Sequence, residues 1–154
     1  MTVAIMMILL GFGLVNYMRS LDKQKLYQIG ATVESMLKDA RSKAQNGFLG
    51  SDALGYCTQL QGVEVASTLV DGDVQVIGRL RCSDASTIVY ETYAPELNNL
   101  AFDTQFQMTF LAKQGAAVLL GNSQVASGAA TLTNQVGAVV FTLDQGGTIN
   151  VSYE

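Results

Sequence analysis

Eighteen uncharged residues, Met1–Met18 (MTVAIMMILLGFGLVNYM), run without a proline into RSLDKQKLYQIGATVESMLKDARSKAQN. Both parts read as one helix. The first half is apolar on every side, and such a helix needs lipid or the inside of a bundle. The second half is apolar on one stripe only. Leu26, Ile29, Val33, Met36, Leu37, Ala40 and Ala44 follow one another at steps of three and four, which places them on one face. Lys25, Gln28, Thr32, Ser35, Asp39 and Ser42 fall opposite, and Glu34–Lys38 is a favourable i,i+4 pair. Asn46-Gly47 supplies the stop. A striped helix wants a surface to lie on, so the remainder of the chain must provide one.

That remainder changes period. Phe48–Gln61 reads as an irregular connector. From Gly62 the alternation is two, with VEVAST as a short strand and Asp71-Gly72 as a hairpin turn. In DVQVIGRLRC, Val74, Val76, Leu80 and Cys82 share one face, and Asp73, Gln75, Arg79 and Arg81 share the other. Ser86–Tyr93 is a further strand, ended by Pro95, and Glu96–Thr104 a loop. Phe106, Met108 and Phe110 alternate inward along Gln105–Leu111. Ala116–Leu120 is short and apolar, and Ala130–Asn134 lies in a small-residue segment. Ala138–Leu143 and Thr148–Tyr153 form a terminal hairpin around Gln145-Gly146-Gly147. The fold expected is α+β: a long N-terminal helix packed on an antiparallel β-sheet head. It divides into residues 1–18 (apolar half-helix), 19–46 (amphipathic half-helix) and 47–154 (head).

Charge divides in the same place. Residues 1–46 carry six basic residues against three acidic; the head carries three (Arg79, Arg81, Lys113) against ten, a net of −7. Phosphate backbones attract Lys and Arg, so nucleic acid is an unlikely partner for this head. No histidine is present, which removes the commonest metal ligand and general base. No G-x-S-x-G occurs, and Gly11-Phe12-Gly13 lies inside the apolar helix rather than after a strand, where a dinucleotide loop would be. Asp71 and Asp73 flank a turn; Asp52, Asp84 and Asp103 stand isolated in loops. Nothing here points to an enzyme, a metal or a cofactor.

The apolar run is close to the ~20 residues that cross a bilayer, and no small-residue cleavage site follows it. It reads as an uncleaved single-pass anchor. Behind an anchor the compartment is oxidising, which favours a Cys57–Cys82 disulfide worth roughly 3–4 kcal/mol. Arg19, Lys23 and Lys25 follow the span and no basic residue precedes it. The positive-inside rule alone would then put the head in the cytoplasm. A basic leader upstream of Met1 would reverse that orientation.

The stretch VAIMMILLGFGLVNYMRSLDKQKLYQIGATVESMLKDARSKAQNG resembles the type IV pilin family, and within it the pseudopilin-H-like minor pilins of pili and type II secretion systems. The shared pattern is an apolar helix, a basic and Gln-rich turn, and a stripe ending L-x-x-A-x-x-x-A at Leu37, Ala40 and Ala44. GVEV between the cysteines is similar to the strand pair that follows in such proteins, and MTFLAKQG through GGTINVSYE to their last strands. The leader peptide and the glutamate of the mature helix are missing, and Ile5 is not that glutamate. The resemblance implies a structural subunit whose partners are the membrane and other pilin or pseudopilin subunits. It implies a head held on the extracytoplasmic side, then an extracellular or periplasmic filament. Met6, Ile8, Leu9, Phe12 and Leu14 would supply the filament-core packing. The alternative is a membrane-anchored extracytoplasmic binding domain that does not polymerise, holding its partner with strand edges or loops.

Overall fold

The computed structural model describes the backbone of residues 2–51, 55–97, 99–111, 115–121 and 123–154, and side chains over the same ranges from residue 13 on. Helix α1 spans Thr2–Asn46, about 68 Å at 1.5 Å per residue. It ends where Gly47 turns left-handed (φ 67°) and the Phe48 amide donates back to the Lys43 carbonyl at 3.0 Å. Only a residue without Cβ takes that φ cheaply, and the bond satisfies a last-turn carbonyl.

Twelve strands follow: β1 (Gly50–Ser51), β2 (Gly55–Tyr56), β3 (Leu60–Val70), β4 (Asp73–Cys82), β5 (Thr87–Tyr93), β6 (Ala101–Phe102), β7 (Phe106–Leu111), β8 (Ala116–Leu120), β9 (Ser123–Val125), β10 (Ser127–Asn134), β11 (Gly137–Asp144) and β12 (Ile149–Tyr153). All pairings are antiparallel. A six-stranded sheet runs β5-β4-β3-β7-β8-β9, a four-stranded sheet β12-β11-β10-β6, and β1-β2 form a small ribbon. The chain is therefore α+β, one N-terminal helix packed on antiparallel sheets. The connector expected at Phe48–Gln61 holds that ribbon and the start of β3, and the loop expected at Glu96–Thr104 holds β6.

The β3–β4 connection is the two-residue turn Asp71-Gly72, both at positive φ (55° and 91°). This geometry matches strand twist and selects Asp-Gly. On β4 the inward set is Val74, Val76, Leu80 and Cys82, all buried, as the alternation required. On β7 it is Phe106, Met108 and Phe110. Strand β3 is longer than the VEVAST segment. It lies in mid-sheet with both faces covered from Gly62 to Ser67, which masks its period. Helix and sheets share one core, and Phe102, Phe106 and Phe141 form an aromatic cluster inside it, with Phe102–Phe106 centroids 5.4 Å apart.

The candidate assembly helix and its seat on the head

The helix has two environments. From Gly13 to Lys25 the side chains are exposed, Asp22 partly excepted. From Leu26 the stripe enters the core: Leu26, Ile29, Val33, Met36, Leu37, Ala40 and Ala44 are all buried, against β3, β4 and β7 on one side and β10, β11 and β12 on the other. Before Leu26, residues 13–25 form an exposed stem of helix, about 20 Å long, whose base still reaches the head: Lys23 Cε lies 3.8 Å from where a Gly137 Cβ would be. Leu14 is 62% exposed and Met18 64%, with Val15 and Tyr17 exposed between them. Met6, Ile8, Leu9 and Phe12 lie outside the residues whose side chains are described. Among the described residues, no helix is long and apolar enough to cross a membrane.

Two glycines on this helix have opposite circumstances. A Cβ at Gly30 would lie 2.8 Å from Val139 Cγ1 and 3.3 Å from Tyr153 Cε1, so the absent side chain lets α1 seat on β11 and β12. A Cβ at Gly13 would meet nothing within 4 Å. Glycine inside a helix costs about 1 kcal/mol relative to alanine. At Gly30 close packing answers that cost; at Gly13 nothing among the described residues does.

Sequence reasoning missed Gly30 and the collar around it. Tyr27 and Tyr153 meet edge to face at 5.0 Å, the Tyr27 hydroxyl donates to the Glu154 carbonyl at 3.4 Å, and Lys23 lies 5.4 Å from the Tyr27 ring. The stem therefore leaves the head through a clamp of aromatic and cationic side chains. A cleft of about 760 Å³ opens beside it, rimmed by Asp22, Lys25, Asp73 and Glu96 among others. At the other end Lys43 pairs with Asp39 and caps the Tyr90 ring at 4.6 Å. Burial, then the Asp39 and Glu91 carboxylates, push the Tyr90 phenol above the ordinary tyrosine range. The Tyr90 ring fills the space that Gly78 leaves open on β4, where a Cβ would lie 2.6 Å from its Cζ.

Cys57 and Cys82 form a disulfide, Cα–Cα 5.3 Å, both buried. It ties the segment after the helix to the end of β4. The isolated aspartates have local work. Asp84 Oδ1 accepts from the Ser86 hydroxyl (2.6 Å) and amide (3.0 Å), which holds its carboxyl below the usual range. Asp103 Oδ1 accepts from the Thr104 and Thr131 amides at 2.6 and 2.7 Å and fastens the loop before β7 to β10. Asp71 shapes its turn, Asp52 and Lys113 lie outside the described residues, and no reactive pair is brought together by Asp71, Asp84 and Asp103.

No family model, curated protein or solved structure matches this chain. Its function has to be argued from the helix and the head themselves.

Proposed function

We propose that the protein is a structural subunit, of minor pilin or pseudopilin type, that assembles into a type IV pilus or type II secretion-like filament through its N-terminal helix. The observation carrying this is the division of α1. One half is seated in the head, and the other stands free with apolar side chains at Leu14, Val15, Tyr17 and Met18 exposed to solvent in the single chain. A soluble domain has no use for such a stem, so a partner must cover it.

Met1–Met18 parks the subunit in a membrane, head on the extracytoplasmic side, and then moves into a helical filament core. Lipid tails are as apolar as leucine, so this exchange gains little hydrophobic energy. It is driven by close helix packing, which small residues permit. Gly13 fits that role, since its missing side chain serves no contact among the described residues. The head takes no part in chemistry and is held rigid by the Cys57–Cys82 bridge.

Leu14→Glu tests the proposal. The site is exposed, so the head should keep its folded stability, while a carboxylate in a packed helix core should exclude the subunit from sheared filaments. Normal incorporation of the variant would sink the filament reading. A second reading, an anchored binding domain that does not polymerise, is favoured by the edge strand β5 of the six-stranded sheet, where Val89 is exposed. It predicts that L14E changes nothing except membrane retention.

A further inference from the structure

On the face of the six-stranded sheet turned away from α1, the carboxylate at the centre is not exposed. Glu64 on β3 is 4% exposed. An unpaired buried carboxylate is costly, and this one is surrounded. Its Oε2 accepts from Gln107 Nε2 at 2.9 Å and lies 3.4 Å from Arg81 Nη1; its Oε1 lies 3.6 Å from Arg79 Nε. Two guanidinium groups share one carboxylate, leaving the cluster one positive charge in excess. Among the described residues of the head, Arg79 and Arg81 are the only cations.

Register places Gly62 between Arg81 on β4 and Leu111 on β7. With no side chain there, the outer face has a gap. A notch of about 160 Å³ opens, lined by Gln61, Arg81, Thr109, Leu111, Ala117 and Leu119. A Cβ at Gly62 would lie 2.7 Å from the Phe110 carbonyl oxygen and 3.1 Å from Thr109 Cγ2, so only glycine keeps this floor. Thr109 is 4% exposed, and its hydroxyl is buried without a hydrogen-bond partner. A buried donor left unmade is costly, and a ligand oxygen reaching the Thr109 hydroxyl would recover that cost.

We propose that this notch binds one carboxylate carried on a polypeptide, an Asp or Glu side chain of a partner protein with apolar neighbours. The volume suits a single side chain. The excess charge is one, and the head as a whole is acidic, so a polyanion such as nucleic acid is repelled while one carboxylate is held by Arg81 and Thr109. Leu111, Ala117 and Leu119 offer the apolar contact that a flanking aliphatic residue fills. In a filament with α1 inward this face points outward. That orientation rests on the filament reading; the notch itself does not.

The test uses the full chain in detergent micelles, titrated with acetyl-Leu-Glu-Leu-amide and followed by NMR on the Thr109, Leu111, Ala117 and Leu119 methyl groups. Saturable shifts at these four are expected, with a Kd on the order of 1 mM and at least about tenfold weaker binding of the Gln analogue. Arg81→Gln should weaken binding by about tenfold or more with the remaining resonances unmoved. Thr109→Val, which removes the unpaired hydroxyl at constant volume, should weaken it too and serves if R81Q disturbs the sheet. Equal binding of the Glu and Gln peptides, equal binding of inorganic phosphate, or no saturable shift would each overturn the proposal. The titration needs no filament. L14E subunits that fail to assemble should still bind the peptide, so a failed assembly and a failed notch are told apart.

Discussion

Gly30→Ala sets two known effects against each other at one position. Alanine is the better helix former by about 1 kcal/mol, so an exposed glycine replaced in mid-helix stabilises the protein by about that much. At Gly30 the new methyl would lie 2.8 and 3.1 Å from the two Val139 Cγ atoms and 3.3 Å from the Tyr153 ring. Val139 is fully buried and β-branched, so it has little rotamer freedom with which to retreat. Forcing a methyl into a packed contact costs about 1–3 kcal/mol. The sum is a loss of roughly 0–2 kcal/mol where propensity alone gives a gain. Val139→Ala alone removes two methyl groups, a cost of about 1.6 kcal/mol before any cavity term. In the double variant the clash is gone and the new methyl occupies part of the vacated space, so the two changes should couple favourably by about 1–3 kcal/mol. Urea denaturation of the four proteins reads all of this, with Gly13→Ala as the control that leaves the head midpoint unmoved. A stabilised G30A, additive with V139A, would refute the seating of α1 on β11.

Replacing Cys57 and Cys82 together by Ser should lower head stability by about 3–4 kcal/mol, since the bridge closes a loop with a sequence separation of 25; an unchanged urea midpoint would count against it. Tyr90→Phe removes a buried hydroxyl that has no hydrogen-bond partner, so stability at neutral pH should hold or rise by up to about 1 kcal/mol. The Tyr90 phenol is shifted upward, so its contribution is fully present below the ordinary tyrosine value of 10.0 and is lost as pH rises through the higher folded value. Phenolate absorbance should therefore show a late step above the ordinary tyrosine value, and Y90F should lose that step. Asp144 is shifted downward, chiefly because the Thr148 amide donates to its Oδ1 at 3.0 Å. Its stabilising contribution is present above 3.8 and falls away as pH drops through the lower folded value. Carboxyl NMR should place Asp144 below the ordinary aspartate value of 3.8, and Asp144→Asn should flatten that part of the acid transition.

What was legible in the sequence was whatever carried a clean period. The stripe from Leu26 to Ala44 repeats at helical spacing because one side of α1 meets core and the other water, and every one of its residues is buried. Strand β4 alternates for the same reason, and Asp71-Gly72 announces its turn because two successive residues at positive φ exclude most side chains. Strand β3 hid its length because both its faces are covered, the outer one by Arg79, Arg81 and Gln107 around Glu64. The small-residue run before Ala130 gave no period, since Gly128 is there to clear Leu120, whose Cδ1 would lie 2.1 Å from an added Cβ. The notch could not be read at all. It needs Gly62, Arg81 and Leu111 in register across three strands, and pairing across strands leaves no local trace in the chain. Gly30 and Gly13 look alike in sequence; only the structure separates a glycine with a packing partner from one without.

The filament claim is tested most directly by a photo-crosslinking amino acid placed at Leu14 and activated in cells with intact envelopes. Leu14 is 62% exposed in the single chain, so a label there is free to reach a neighbouring molecule. Crosslinked species joined through the N-terminal helices of other pilin-type subunits, at the same depth of the stem, are the expected result. Crosslinks to lipid alone, or to a single unrelated protein, in cells that do elaborate filaments would contradict assembly through this helix and leave the anchored binding domain in its place.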